Sequence, residues 1–219
     1  MNTPSHHINH PIKRLFFLCA GLIIMAFGVA FSIKAALGTS PISSVPYVTS
    51  AISGLSVGTT TIIMNFLFVL IQIAILRKQY DWFQLLQLPA AILFGTMIDV
   101  AKVILQPINV SGYLSQWILC AIGIFLVAFG VSVEVMANLV TTAGEGIVLA
   151  ICKVAPIRFG NMKMLFDVTL VCLSILLSFS FLGHLDGVRE GTIAAAVLVG
   201  QITKQTNRWM KKVEQLTLC

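Results

Sequence analysis

Seven ionisable side chains lie in or beside long apolar segments of this 219-residue sequence, and four of them belong to its second half: Glu134, Glu145, Lys163 and Asp167. Burying a charge among apolar residues is costly, and such groups usually face a cavity or the interior of a helix bundle. Carboxylates in that setting can carry a proton or bind a cation. We therefore expect these four residues to carry coupling charge, with Lys163 as the counter-ion. A structural ion pair, for example Glu134 or Asp167 with Lys163, is the alternative.

Polar residues also cluster at two breaks in the apolar pattern, and each break precedes a short helix. The first N–H groups of a helix have no partner within it, and the helix dipole is positive there. Each start can therefore bind an anion or a carboxylate. Helix capping alone is the alternative, because the stretch from Thr142 to Glu145 also fits a capping box. The residues at the two starts are Thr39, Ser40, Ser43 and Ser44, and Thr141, Thr142, Gly144 and Glu145.

The segments that position these residues have the composition of membrane-spanning helices. Hydrophobic residues make up 58% of the chain and charged residues 10%, against about 25% charged residues in a typical soluble domain. Residues 35–76 and 103–133 contain no Asp, Glu, Lys or Arg, and about 20 apolar residues suffice to cross a bilayer. The sequence therefore predicts an all-α, polytopic membrane protein in contact with a lipid bilayer. The net charge of +6 is carried by residues that flank apolar segments, so we expect no nucleic-acid partner.

The sequence repeats itself. A shift of 102 places nine residues of the first half on identical residues of the second, and a shift of 105 does the same near the end of each half. The first group is Gly21, Ala26, Phe27, Gly28, Val29, Ala35, Leu37, Thr39 and Gly58, which match Gly123, Ala128, Phe129, Gly130, Val131, Ala137, Leu139, Thr141 and Gly160. In an apolar chain, such duplication is typical of transporters whose substrate site lies between the halves. We divide the chain into a cytoplasmic N-terminal tail at 1–12, membrane repeats at 13–108 and 109–207, and a basic cytoplasmic tail at 208–219.

Each repeat holds three helices long enough to span a membrane and one short half-helix. A helix of about 12 residues covers about 18 Å, which is too short for a hydrocarbon core of about 30 Å. If the half-helices only dip into the membrane, Arg77, Lys78, Lys153 and Arg158 lie on the cytoplasmic side with both termini, as the positive-inside rule favours. Because each repeat then has three spans, the two repeats are inverted relative to each other. Eight full spans in two parallel repeats are the alternative.

The repeats differ in charge at equivalent positions. Asn65 occupies the place of Asp167, and Ser43 that of Glu145. Asn138 lies four residues after Glu134, so we expect these two side chains to share a helix face. The second half therefore supplies the charged wall of the predicted site. Asn65 and Asn138 join the polar residues of the two helix starts as substrate-binding candidates.

Four strings in the chain, taken together, resemble the bacterial YczE/YyaS/YitT family of membrane proteins. They are the stretches 37–47, which reads LGTSPISSVPY, 58–61, 144–146 and 187–192. The chain is similar to the YczE-like branch, because it ends after the last helix and lacks the extra cytoplasmic domain of the YitT-like branch. The resemblance implies a location in the cytoplasmic (inner) membrane of a bacterium. It implies no settled activity.

The sequence as a whole favours transport of a small anionic or zwitterionic solute, coupled to protons or cations. It contains no HExxH or Walker A pattern, so we expect no enzyme activity, no cofactor and no metal site. The alternative is a membrane accessory or scaffold protein that binds another protein and transports nothing. Such a protein would have a dry interface between the halves, whereas a transporter would have a polar cavity there. The sequence leaves open whether copies of the chain form a homo-oligomer.

Overall fold

The computed structural model describes the backbone of residues 10–217 and the side chains of residues 10–210. Over this range the chain is all-helical and contains no strand, as the sequence predicts. The eight α-helices are α1 (Pro11–Ala35), α2 (Pro41–Ser53), α3 (Val57–Leu76), α4 (Gln87–Ile104), α5 (Tyr113–Ala137), α6 (Ala143–Val154), α7 (Phe159–Leu177) and α8 (Glu190–Thr217). Short 3₁₀ turns follow α3 and precede α4, and a π-turn at Ser178–Leu182 extends α7.

Five helical segments of the described residues are long and apolar enough to cross a membrane, and they contain α1, α3, α4, α5 and α7. The sequence predicts a sixth span at α8. This helix is longer than the others, but polar residues such as Lys204 and Asn207 fill its second half, so it is not among the five. The helix also continues through the segment predicted as a basic tail, as far as Thr217. Most of the predicted N-terminal tail lies outside the described residues.

The helix boundaries follow from local residue chemistry. Helices α1 and α5 both end at a residue in the left-handed conformation, Ala36 (φ 55°) and Asn138 (φ 45°), and these positions match under the shift of 102. A left-handed residue reverses the chain after a helix. Helix α2 begins with Pro41, whose missing N–H costs nothing in the first turn. Helix α3 begins at a cap formed by Ser56 and Asp99, whose Oδ1 accepts from the Gly58 N–H at 2.9 Å.

Helices α1 and α5 form the central pair, and their backbones touch at four glycines. A Cβ atom on Gly21 would lie 2.9 Å from the Gly130 carbonyl oxygen, and one on Gly28 would lie 2.8 Å from that of Gly123. Any residue larger than glycine would therefore push the helices apart, which is how small residues allow close packing in membranes. Residue numbers rise along α1 as they fall along α5, so the two helices are antiparallel.

Two apolar clusters lie at opposite ends of this pair and are formed by equivalent positions of the two repeats. The first contains Ala35, Leu37, Cys120, Ile124 and Ala195. The second contains Ala137, Leu139, Leu18, Leu22 and Ala90. These five residues of the first cluster correspond one by one to these five residues of the second under the sequence shifts of 102 or 105. The chain breaks that follow α1 and α5 therefore pack in equivalent surroundings.

The half-helices α2 and α6 begin close together beside the middle of α3. Val45 of α2 and Ala143 of α6 share a cluster with Phe68 and Val69 of α3, and the Ile42 side chain packs directly on Gly144. Their other ends diverge. Helix α2 ends just before α3 begins, whereas Lys153 near the end of α6 donates to the Gln79 carbonyl oxygen, just beyond the end of α3. The two starts therefore meet inside the protein, and the two ends lie at opposite ends of α3.

Replacing Gly28 by alanine should lower the free energy of unfolding by about 1–3 kcal/mol, because the added methyl group overpacks the contact between α1 and α5. The matched control is Gly200→Ala in α8, where a Cβ would meet no atom within 4 Å. There the gain in helix propensity of up to about 1 kcal/mol should leave stability unchanged or raised. Thermal unfolding of both variants in detergent measures the difference. Equal stability of the two variants would contradict the close contact.

Candidate functional site

The start of α6 is held by a carboxylate from the preceding helix. Thr142, in the N-cap position, has an extended backbone and makes no side-chain cap hydrogen bond. Its backbone N–H donates instead to the carboxylate of Glu134, which lies in the last turn of α5 and is only 5% exposed. The capping box considered from the sequence is therefore not formed. The reversal of the chain at Asn138 brings Glu134 back to the helix start, so Glu134 takes the N–H that Glu145 would have taken.

A small cavity adjoins this helix start. Its volume is about 20 Å³, which is the room needed for one water molecule or one small ion. Five polar residues line it together with apolar side chains of α1 and α4. These polar residues are Asn65, Gln87, Glu134, Thr141 and Thr142. The cavity thus lies where α3 and α4 of the first half meet α5 and the break of the second.

The predicted coupling residues form a connected electrostatic group. Lys163 Nζ lies 2.5 Å from Asp167 Oδ1, one helical turn along α7. Both charges act on Glu145 of α6, and the charge of Glu145 acts on Glu134. The ion-pair alternative is thus realised for Lys163 and Asp167, whose side chains are 29% and 24% exposed. Three carboxylates share one lysine, so the group keeps a negative balance when all are ionised.

The first helix start is closed by local hydrogen bonds. The backbone N–H of Thr39 donates to the Gly187 carbonyl oxygen at 3.1 Å. Ser40 Oγ donates to Ser43 Oγ at 3.0 Å, and Ser44 Oγ donates to the Pro41 carbonyl oxygen at 2.7 Å. These four polar side chains are used in shaping the break and the first turn of α2.

Arginine side chains hold the carbonyl groups at the ends of the central pair. Arg14 of α1 donates to the Ala137 carbonyl oxygen at 3.0 Å, beside the second break. Arg189 donates to the Ala36 carbonyl oxygen at 3.1 Å, beside the first. Each guanidinium therefore stabilises the C-terminal end of a helix, where a positive charge is favourable.

The structure brings some of the predicted site residues together and separates others. Asn65, Glu134, Thr141 and Thr142 meet at the cavity, and Glu145, Lys163 and Asp167 extend from it along α6 and α7. The serines and threonine of the first start do not line the cavity. Gly144 is covered by Ile42, and Asn138 is exposed at the end of α5. Asn138 does not continue the helix face of Glu134, because its left-handed backbone turns it out of the helix.

Two buried amides belong to the site and were not predicted from the sequence. Gln72 and Gln87 are 0% and 1% exposed, and Gln72 Nε2 donates to Gln87 Oε1 and to the Ala143 carbonyl oxygen, both at 3.0 Å. Gln87 also lines the cavity. Gln72 is an amide within the long uncharged run 35–76, and such a residue in a spanning helix needs a buried partner. The position of Gln72 in this run was therefore the feature of the sequence that could have predicted a buried polar partner.

Comparison with known proteins connects the chain to proteins without an assigned activity. A model described as "Family of unknown function (DUF6198)" matches residues 12–208. The uncharacterised membrane protein YczE of Bacillus subtilis (strain 168) is 29% identical over 88% of this chain and 85% of its own length. The uncharacterised protein YyaS of the same organism is 27% identical over 83% and 86%. The resemblance drawn from the sequence motifs is confirmed. No solved structure matches.

Replacing Glu134 by leucine should leave the Thr142 N–H without its partner and loosen the first turn of α6. Loss of a buried hydrogen-bond partner costs about 1–3 kcal/mol, which corresponds to amide exchange that is about fivefold to a hundredfold faster. The control is Glu134→Gln, whose amide oxygen can still accept. Hydrogen exchange of a peptide covering 139–146 measures both. Identical protection in the leucine variant and the wild type would mean that Glu134 does not cap this helix.

Proposed function

We propose a transport function for this chain, which belongs to a family of unknown function, DUF6198. The cargo is a small anionic or zwitterionic solute, and its movement is coupled to protons or cations. The observation that carries the proposal is the buried Glu134 carboxylate at the start of a half-helix, beside a small cavity that elements of both halves line. Irregular backbone and buried charge inside a membrane protein are costly and usually mark a substrate or ion site.

The proposed architecture is a pair of inverted repeats of three spans and one half-helix each. The antiparallel packing of α1 against α5 supports it, because these helices occupy equivalent places in the two halves. Gly21 contacts Gly130, and Gly28 contacts Gly123. Because Gly21 is equivalent to Gly123 and Gly28 to Gly130, exchanging the two halves converts one contact into the other. Contacts of this reciprocal kind are expected of two units related by a twofold axis. An axis across two antiparallel spans lies in the membrane plane, as in inverted-repeat transporters.

The proposed orientation has both termini in the cytoplasm of a bacterium, with the chain in its inner membrane. Lys153 of α6 contacts Gln79 beside Arg77 and Lys78, so these positive charges collect at one end of the molecule. A common positive side is the pattern expected of cytoplasmic segments. The half-helices then enter the membrane from opposite sides, α2 from outside and α6 from inside.

The proposed roles of the residues follow from their positions. The starts of the half-helices bind polar groups of the solute, with Asn65, Thr141 and Thr142 on one side and Ser40 to Ser44 on the other. Binding requires the cavity to widen from its volume of about 20 Å³, and the serines to exchange their local hydrogen bonds for bonds to the solute. Glu134, Glu145 and Asp167 carry the coupling charge, and Lys163 is their counter-ion. The connected electrostatic group from Glu134 to Asp167 supports this assignment. The proposal includes no catalytic residue and no cofactor.

Accessibility of introduced cysteines tests the inverted arrangement. In a background without native cysteines, Leu55→Cys and Asn109→Cys should react with a membrane-impermeant thiol reagent added to intact cells. Gln79→Cys should react only after the membrane is opened. All three positions are exposed on the protein, so burial does not limit the reaction. The parallel arrangement with eight spans predicts the reverse at each position, and that result would exclude the inverted one.

Uptake into liposomes tests the coupling. Vesicles that contain the protein and a pH-sensitive dye would receive pooled monocarboxylates, dicarboxylates, amino acids or phosphate under an imposed pH or sodium gradient. The wild type should take up one pool in a gradient-dependent manner, and Glu145→Gln and Asp167→Asn should each reduce that dependence at least tenfold. Asp81→Asn, which changes an exposed acid outside the apolar helices, is the control. Unchanged gradient dependence in both variants would refute the coupling roles.

The second candidate is a membrane accessory protein that binds another protein. The close packing of α1 against α5 and the small size of the cavity favour it, because a scaffold protein does not need a path for a solute through the membrane. The two candidates differ in the same liposome assay. An accessory protein gives no uptake of any pool, whereas a transporter gives uptake that depends on the carboxylates.

A further inference from the structure

We infer that the cavity beside the start of α6 is a binding site for one monovalent cation, sodium, held between Glu134, Asn65, Thr141 and Thr142. This inference deepens the proposed function by assigning the coupling ion and its place, and it rests on that function for the role of the ion. Binding itself requires only the purified chain. The two claims can therefore fail separately.

The Glu134 carboxyl group has unused acceptor capacity and no ion-pair partner among the described residues. An ionised carboxylate can accept about four hydrogen bonds, and this one accepts the Thr142 N–H. The ion pairs found in the described part of the chain are Lys163–Asp167 and Arg189–Glu190, and neither includes Glu134. The side chain is 95% buried, as its 5% exposure shows. A buried carboxylate needs a balancing charge or a proton, and the cavity is the space beside it.

Asn65 directs a second oxygen toward the same space. The amide Nδ2 donates to the Thr61 carbonyl oxygen at 2.8 Å, which fixes the orientation of the group. Its Oδ1 has no hydrogen-bond partner within residues 10–210, although the side chain is only 8% exposed and lines the cavity. An acceptor without a partner that shares a cavity with a carboxyl group favours a ligand that is positive or donates hydrogen bonds.

The break between α5 and α6 supplies further oxygens. Thr141 and Thr142 line the cavity, and their hydroxyl groups make no side-chain hydrogen bond in the described range. The carbonyl groups of Val140 and Thr141 accept no backbone hydrogen bond there either. Unwound carbonyl groups next to a half-helix are the usual ligands of coupling cations in transporters. The donor set is therefore made entirely of oxygen, as hard cations require.

Size and charge select a monovalent ion. The volume of about 20 Å³ leaves room for one ion without a shell of water. Magnesium keeps several waters, and calcium takes six to eight oxygens that usually include more than one carboxylate. A single carboxylate balances a single positive charge. A proton would also neutralise Glu134, but the single O–H group of the protonated carboxyl could donate to only one of the other oxygens that line the cavity.

Sodium binding can be measured on the purified full-length protein in detergent. Its thermal unfolding midpoint should rise saturably with NaCl when choline chloride keeps the ionic strength constant, because a ligand of the folded state stabilises it. Equal concentrations of KCl should give a smaller rise. Equilibrium binding of ²²Na⁺ should approach one ion per chain. Glu134→Gln, which keeps the size of the side chain, should abolish both effects, and Asn65→Ala should weaken binding at least tenfold.

The matched control is Asp99→Asn, which changes an acid within α4 that caps α3 and does not line the cavity. This variant should keep the sodium-dependent rise of the midpoint whatever its own stability. Equal midpoints in NaCl and choline chloride would overturn the inference, as would a sodium effect that persists in Glu134→Gln. A midpoint that responds to pH and not to sodium would assign a proton to the cavity instead. If sodium binds but no solute pool is taken up, only the transport proposal fails.

Discussion

The close contact between the backbones of α1 and α5 determines where the rest of the molecule can lie. Four glycines bring these long helices together in an antiparallel pair, and no larger side chain fits between them. Because each helix ends at a left-handed residue, the chain turns back beside the partner helix at both ends of the pair. The two breaks and the two matching apolar clusters lie at the ends of this contact, whereas the half-helices pack on α3 and α7.

A second constraint is that backbone groups inside a membrane protein must find partners within the protein. Each break exposes N–H and carbonyl groups that no regular helix satisfies. The first break uses the Gly187 carbonyl and the hydroxyls of its own serines. The second uses the carboxylate of Glu134, and the two arginines complete the helix ends. Polar side chains near a break thus serve the fold first, and only what they leave unsatisfied is free for a ligand.

The sequence predicted the helices well, because each boundary has a local chemical signal. Pro41, Gly54, Ser56 and the apolar periodicity fixed the half-helices to within a residue or two. The site was harder to predict, because it depends on which helices touch. The role of Gln87, the covering of Gly144 by Ile42 and the outward turn of Asn138 follow from packing and backbone reversal. The capping box was wrong for the same reason. The backbone N–H of Thr142 interacts with the carboxyl group of Glu134 in the preceding helix and not with that of Glu145.

The difference between the halves has a physical consequence for function. The residue equivalent to Glu134 is Ser32, whose Oγ donates to the Gly28 carbonyl oxygen of its own helix at 3.1 Å. The first break is therefore satisfied by neutral groups, and the second by a carboxyl group. A neutral cap is complete in itself, whereas a buried carboxylate with spare acceptors still lacks a positive partner. The packing is nearly equivalent in the two halves. The difference between Ser32 and Glu134 therefore means that only the second break needs a ligand.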